Sequence, residues 1–125
     1  METLHITAGK DTPEIYFGPD VGIFQVEGIS LPPNPVTFYE PVFEWIHKFL
    51  NSGELNSNIE IIFKLDYFNT SSMKQIVKLF RIMNNSPEKE KIIINWCYAA
   101  EDTDMLDAGK RFQQFTQIRF DFTAS

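Results

Sequence analysis

Alternating apolar and polar residues predict three short strands in the first third of the chain. Residues 4–7, 14–17 and 22–28 each repeat with a period of two, and turn-forming clusters that contain Gly or Pro lie between them. A two-residue period is typical of a strand that buries one face. We therefore expect three strands joined by short turns.

Helical and strand patterns then alternate along the rest of the chain. Apolar residues recur every three to four positions in residues 38–50, 70–83 and 105–115, which predicts three amphipathic helices. Three further strand patterns lie between and after these helices, at residues 58–68, 91–98 and 118–122. The chain therefore begins with strands and continues as helix–strand pairs.

Two details of these patterns make specific predictions. A proline in the interior of a helix removes one backbone hydrogen bond, so Pro41 indicates that the first helix begins near Phe38. In residues 58–68, strict alternation places Tyr67 on the same apolar face as Phe63.

Strands that alternate with helices imply an α/β sheet with right-handed crossovers between parallel strands. The opening strands add an antiparallel edge and make the sheet mixed. The half-polar faces of the later strands indicate that helices cover mainly one side. We expect a single domain over residues 1–125, with a mixed sheet of about five to six strands and three helices mainly on one face.

Charge and composition narrow the classes of partner. The chain has 125 residues, a formal net charge of −6 and a pI near 4.8. Because its Lys and Arg residues are scattered and form no basic stripe, we expect no nucleic-acid partner. A single cysteine excludes an internal disulfide, and no stretch is apolar for long enough to span a bilayer. The N-terminus also lacks the pattern of a secretion signal, so we expect a cytoplasmic protein without membrane insertion.

A run of amide and hydroxyl side chains, Asn69-Thr70-Ser71-Ser72, lies where the fourth predicted strand meets the second helix. One interpretation is a helix cap, because these residue types bond the free N–H groups of a first turn. The other is a phosphoacceptor, since a phosphate there meets the same N–H groups and the positive end of the helix dipole. It would add a charge of about −1.5 to −2 at pH 7. Both interpretations can hold together.

An acidic cluster, Glu101, Asp102 and Asp104, begins the last helix. Acidic residues in a first turn complement the helix dipole, and Asp66 can approach them from a neighbouring strand end. A hard cation needs oxygens from several elements, so we predict a partner-facing acidic rim, with no metal site and no cofactor. The sequence contains no phosphate-binding loop and no nucleophile elbow. A small metal-dependent hydrolase that uses these acids, or an inert structural subunit, are the competing hypotheses.

Three segments carry a resemblance to a known family. They are Phe38-Tyr39-Glu40-Pro41-Val42, Leu65-Asp66-Tyr67-Phe68-Asn69-Thr70-Ser71-Ser72-Met73-Lys74, and Glu101-Asp102-Thr103-Asp104-Met105 with Gly109. With them, the chain resembles the SiaC family of bacterial biofilm-regulation phosphoproteins along nearly its whole length. That family is similar in fold to the STAS-type anti-sigma-factor antagonists, so the resemblance implies a STAS-like domain.

The resemblance implies a regulator and not an enzyme, with Thr70 as the phosphoacceptor. It also implies that a partner protein kinase phosphorylates this residue and that a PPM-type phosphatase removes the phosphate. By the same resemblance, we expect the unmodified form to bind a diguanylate cyclase and raise its output of cyclic di-GMP, and phosphorylation to release the cyclase. Alternatively, the unmodified form sequesters a kinase or an anti-sigma factor, as STAS antagonists do. The expected partner-binding residues are Asn69, Ser71, Ser72, Asp102, Asp104 and Met105.

Overall fold

Six strands and three helices follow one another in the computed structural model, which describes residues 1–125. The strands are β1 (Leu4–Ile6), β2 (Glu14–Gly18), β3 (Ile23–Ser30), β4 (Ile59–Phe68), β5 (Ile92–Tyr98) and β6 (Arg119–Ala124). The helices are α1 (Pro35–Leu50), α2 (Thr70–Asn84) and α3 (Thr103–Gln114). Each predicted element is therefore present, within a few residues of its expected place. None of the helices is long and apolar enough to cross a lipid bilayer.

The strands form one six-stranded sheet whose spatial order is the order of the sequence. β1, β2 and β3 pair antiparallel, whereas β3, β4, β5 and β6 pair parallel. Each parallel connection advances by one strand in the same direction through a right-handed crossover, which places all three helices on the same face. The predicted α/β class, the mixed sheet and the one-sided helices are confirmed.

One hydrophobic core of 26 buried residues lies between the helices and the sheet. The buried side chains occupy alternate positions along each strand, such as Ile61, Phe63 and Leu65 in β4. The residues between them point to the opposite face, where Glu60 and Lys64 are exposed. That face, which no helix covers, is called the open face below.

Helix α1 begins earlier than its pattern predicted. Asn34 is its N-cap and accepts the Thr37 N–H at 3.2 Å, and Pro35 occupies the first helical position. Proline is favourable there because the N–H that it lacks would have no intrahelical acceptor. Pro41 therefore lies inside the helix, and the predicted start near Phe38 was wrong. The burial of an apolar face along α1 outweighs the loss of one backbone hydrogen bond. The buried residues of α1 are Tyr39, Val42, Phe43, Trp45, Ile46, Phe49 and Leu50.

A β-bulge near the end of β4 reverses the alternation of its last residues. Gly28 of β3 pairs with Leu65, but the next residue, Ile29, pairs with Tyr67. Asp66 is therefore an extra residue on β4, and the strand bends at that point. As a result Tyr67 is 55% exposed on the open face. Its predicted place on the buried face was wrong, because strict alternation does not survive an inserted residue.

The same bulge turns Phe68 into the core. Its ring centroid lies 6.4 Å from that of Trp96 and 6.0 Å from that of Phe112. The Trp96 indole donates from Nε1 to the Met105 carbonyl oxygen at 2.9 Å, and Gly109 lies against the indole ring. These contacts fix the start of α3 to the sheet beside the end of β4.

Candidate functional site

The three helix N-termini lie along one edge of the sheet. Since β3, β4 and β5 are parallel and each leads into a helix, their carboxyl ends meet at the same edge, called the carboxyl edge below. Each helix is capped there by an Asn or Asp side chain that accepts a backbone N–H. The pairs are Asn34 with Thr37 at 3.2 Å, Asn69 with Ser72 at 2.9 Å and Asp102 with Met105 at 3.0 Å. The carboxyl edge therefore collects the positive ends of three helix dipoles.

The first turn of α2 presents two exposed hydroxyl side chains, Thr70 and Ser71. Asn69 is the N-cap, so capping does not require either hydroxyl. Thr70 occupies the first helical position, where backbone N–H groups have no intrahelical acceptor. A phosphate on Thr70 would lie beside these N–H groups, which is the environment expected of an anion site at a helix N-terminus.

Ser72 is buried, although we expected it among the partner-binding residues. Its side chain is fully inaccessible, and its Oγ donates to the Ser30 carbonyl oxygen at 2.9 Å. The Ser30 Oγ lies 2.9 Å from the Ser72 Oγ and 2.6 Å from the Tyr39 hydroxyl. These three side chains, called the hydroxyl chain below, connect α2, β3 and α1. Ser72 therefore faces the core, and its assignment to a contact surface is corrected.

Two groups with perturbed pKa values have a clear physical cause. Burial raises the pKa of the Tyr39 phenol above its ordinary value of 10.0, and the hydrogen bond with Ser30 offsets part of this effect. Burial also raises the pKa of the Cys97 thiol, while nearby Lys64 acts in the opposite direction. Tyr39 thus remains a neutral hydroxyl that can donate a hydrogen bond, and Cys97 is a weak nucleophile at neutral pH.

Three carboxylates surround a cavity of about 270 Å³ next to the end of β4. Asp66 comes from the bulge, and Asp102 and Asp104 come from the start of α3. These three residues are called the acidic rim below; Glu101, which the sequence grouped with Asp102 and Asp104, does not line this cavity. No group of three or more His, Cys, Asp or Glu side chains in the chain is arranged to hold a metal ion. The rim places three carboxylates next to Tyr67 and Phe68, the residues that lead into α2.

Met105 lines the same cavity but is only 6% exposed. Its backbone N–H donates to Asp102, and its carbonyl oxygen accepts from Trp96. The residue thus belongs to the packing between α3 and the sheet, and its prediction as a partner contact is corrected. Of the other expected contacts, Ser71 and Asp104 are exposed, while the caps Asn69 and Asp102 are half-buried.

Exposed apolar side chains lie on both faces of the sheet, and two of them, Met73 and Phe115, occupy apolar positions of the helical patterns. On the open face, Tyr67 is 55% exposed and its partner Ile29 on β3 is 38% exposed. On the helical face, Met73 and Phe115 are exposed beside a cavity of about 260 Å³ between α2 and α3. Ala108 lines both this cavity and the one inside the acidic rim, so the two cavities adjoin.

These features define a class of protein. A small α/β domain that presents an accessible hydroxyl, an acidic rim and exposed apolar side chains on one edge has the surface of a regulatory binding domain. The chain belongs to the SiaC family of regulatory phosphoproteins, since the model of that family matches residues 6–125. The family indicated by the resemblance is thereby confirmed.

Solved structures of SiaC from Pseudomonas aeruginosa share the fold. The apo-SiaC crystal structure is 24% identical in sequence, has a TM-score of 0.86, and is aligned over 99% of this chain and 100% of that one. A crystal structure of the diguanylate cyclase SiaD in complex with its activator SiaC, from the same organism, matches at 24% identity and a TM-score of 0.87, over 98% and 99% of the two chains. No curated protein sequence matches this chain.

Proposed function

We propose that this protein is a phosphorylation-switched regulator that binds and activates a diguanylate cyclase in its unphosphorylated form. A partner protein kinase phosphorylates Thr70 and so releases the cyclase, and a PPM-type phosphatase removes the phosphate. The protein acts in the cytoplasm, as a binding partner and not as an enzyme, in the control of cyclic di-GMP and biofilm formation.

The observation that carries this proposal is the position of the Thr70 hydroxyl. It is exposed at the first helical position of α2, and the capping of that helix is done by Asn69. A phosphate on Thr70 would accept hydrogen bonds from the N–H groups of the first turn. The modification therefore fits the existing fold, and a change of charge on a preformed surface is sufficient for a switch.

The surroundings of Thr70 explain how a phosphate would release a partner. Its charge of about −1.5 to −2 would be added beside the acidic rim, to a chain whose net charge is already −6. A partner that covers the unmodified carboxyl edge would have to bury this dianion against like charges. Burial of a charge without a compensating partner is costly, so the covered and phosphorylated states exclude each other.

We assign the partner contacts to the exposed residues of the carboxyl edge. Ser71 follows Thr70 in the first turn of α2, Asp104 lines the cavity of the acidic rim, and Asn69 and Asp102 contribute their accessible parts. Tyr67 adds an exposed aromatic ring on the open face. Exposed tyrosines are frequent energetic centres of protein interfaces, because they bury a large area at a small entropic cost.

The choice of a diguanylate cyclase as the partner rests on family membership. In Pseudomonas aeruginosa, SiaC is the activator of the cyclase SiaD and forms a complex with it. The present chain belongs to the same family and has the same fold. A cyclase is therefore the first partner to test, and sequestration of a kinase or an anti-sigma factor is the alternative.

Mass spectrometry of the protein isolated from its native cell, with and without phosphatase treatment, tests the modification. We expect one phosphate, on Thr70. Thr70→Asp is expected to weaken cyclase binding by about tenfold or more, because it places a charge in the contact surface. Thr70→Ala is expected to bind as the wild type does and to resist phosphorylation.

Thr3→Ala is the matched control, because Thr3 is an exposed threonine just before β1, at the sheet edge opposite the carboxyl edge. It should leave both phosphorylation and binding unchanged. A chain that stays unmodified under several growth conditions, or equal binding by Thr70→Asp and Thr70→Ala, contradicts the switch. Capture of an anti-sigma factor or a kinase in place of a cyclase by the unmodified protein supports the alternative.

A further inference from the structure

Three hydroxyl side chains are buried beneath the first turn of α2. Ser30 and Ser72 are fully inaccessible, and Tyr39 is 1% exposed. The distances are 2.6 Å from the Tyr39 hydroxyl to the Ser30 Oγ, 2.9 Å from Ser30 Oγ to Ser72 Oγ, and 2.9 Å from Ser72 Oγ to the Ser30 carbonyl oxygen. Hydroxyl groups in an apolar core are costly unless each is hydrogen-bonded, and here every one of them is.

The protons of the hydroxyl chain can be ordered in only one way. The Ser72 proton is donated to the Ser30 carbonyl oxygen, and the Ser30 proton is donated to the Ser72 Oγ. Each hydroxyl has a single proton, so the contact between Tyr39 and Ser30 requires Tyr39 to be the donor. The raised pKa of Tyr39 keeps this donor protonated. The hydroxyl chain therefore runs in one direction, from α1 through β3 to α2.

The hydroxyl chain anchors the residues on both sides of Thr70. The Ser30 carbonyl oxygen accepts the Asn69 N–H at 3.3 Å as well as the Ser72 hydroxyl. The Ser72 N–H is in turn held by the Asn69 side chain at 2.9 Å. Residues 69 and 72 are thus both attached to Ser30, and Thr70 and Ser71 span the interval between two fixed points.

We propose that the hydroxyl chain is the positioning device for Thr70, and that Tyr39 and Ser72 are positioning residues for its phosphorylation. They hold the first turn of α2 so that the Thr70 hydroxyl faces solvent in a single orientation. The role in phosphorylation rests on the proposed function, whereas the ordering of the turn does not. Stability alone does not account for three buried hydroxyls, since apolar replacements of similar shape are often neutral or stabilising.

Two single-group deletions test the proposal. Tyr39→Phe removes the first donor and leaves the protons of Ser30 and Ser72 paired. Ser72→Ala removes the hydroxyl that attaches the helix to Ser30, while the Asn69 N–H keeps its acceptor. Tyr16→Phe is the matched control for the loss of a tyrosine hydroxyl, because Tyr16 lies half-buried on β2 and is not part of the hydroxyl chain. Ile92→Val controls for a general loss of stability, because Ile92 is a buried core residue at the start of β5, far from the carboxyl edge.

Amide hydrogen–deuterium exchange of the full protein is the first readout. We expect residues 69–73 to exchange about three- to tenfold faster in Ser72→Ala, the effect of one lost hydrogen bond, and less so in Tyr39→Phe. Exchange in this segment should be unchanged in Tyr16→Phe and Ile92→Val. Equal exchange in all variants would overturn the positioning role.

Phosphorylation kinetics are the second readout, with ATP and a fixed amount of native-cell extract as the source of kinase, so that kcat values are compared as ratios of maximal rates. We expect kcat for Thr70 to fall about three- to tenfold in Ser72→Ala with little change in KM, because the hydroxyl is misplaced while the surrounding edge is intact. Ile92→Val should leave kcat unchanged. Wild-type kcat in both hydroxyl-chain variants overturns the positioning role alone, whereas a wild-type protein that takes no phosphate overturns the proposed function.

Discussion

Neighbouring residues at the start of α2 have separate tasks, although they are chemically alike. Asn69 caps the helix, Ser72 anchors it to Ser30, and Thr70 and Ser71 are left exposed. The division follows from helix geometry, because successive residues point about 100° apart, so that Ser72 faces the core while Thr70 and Ser71 face away from it. The two interpretations therefore apply to different side chains: Asn69 is the helix cap, and Thr70 is the candidate phosphoacceptor.

Unfolding measurements can separate these tasks. Asn69→Ala is expected to lower the free energy of unfolding by about 1 kcal/mol, because it removes the cap. Thr70→Ala is expected to change it by less than about 0.5 kcal/mol, since the side chain is exposed and has no structural partner to lose. Urea denaturation followed by circular dichroism measures both values, with Asn34→Ala as a comparable cap removal on α1. Equal losses for Asn69→Ala and Thr70→Ala would show that Thr70 also supports the helix.

At the level of elements, the contact between α3 and β5 depends on one glycine. A Cβ on Gly109 would overlap the Trp96 Cδ1 and lie 2.6 Å from its Nε1. The Trp96 ring cannot move aside easily, because it is 1% exposed and stacks on Phe63 at a centroid distance of 5.8 Å. Gly109 is thus required by close packing, and through Trp96 and Met105 it sets the position of the acidic rim.

Gly109→Ala is expected to destabilise the protein by about 1–3 kcal/mol, the usual cost of an overpacked core. Helix propensity alone predicts the opposite sign, a gain of about 1 kcal/mol over glycine. Thermal or urea unfolding decides between them, and Lys110→Ala, at an exposed position of the same helix, is the control. A stabilised Gly109→Ala protein would mean that the indole can shift without cost.

For the molecule as a whole, the strand order creates the site. Because every parallel connection advances in one direction, the helices share a face and their N-termini share the carboxyl edge. The core beneath this edge includes the hydroxyl chain, so events in the first turn of α2 are linked to α1 through Tyr39. A partner on the carboxyl edge would therefore meet a surface to which several elements contribute.

The pH dependence of global stability should reveal the buried phenol. The folded-state pKa of Tyr39 is raised above the value of 10.0 of an exposed phenol, so its contribution is fully present below pH 10 and is lost as pH rises through the folded pKa. We expect the urea midpoint to fall in this alkaline range and Tyr39→Phe to fall less steeply. Tyr16→Phe serves as the control and should behave as the wild type. Identical slopes for the wild type and Tyr39→Phe would contradict this effect of burial.

The sequence by itself determined the elements and their arrangement into a one-sided α/β domain. Hydrophobic periodicity is a local property, and the helices and all strands except the three-residue β1 were long enough to show their period. The capping residues Asn69 and Asp102 were also visible, since a cap depends only on residues within one turn. The sequence also allowed Asp66 to approach Asp102 and Asp104, and the structure places all three at one cavity.

The tertiary structure alone decided which residues of the site are accessible. Ser72 and Met105 are buried by neighbours from distant parts of the chain, and Tyr67 is exposed because the pairing of β4 with β3 inserts Asp66 as an extra residue. The consecutive rings of Tyr67 and Phe68 were the one local sign, since a regular strand cannot turn both inward. Burial and strand register are set by contacts between elements, and no local pattern contains them.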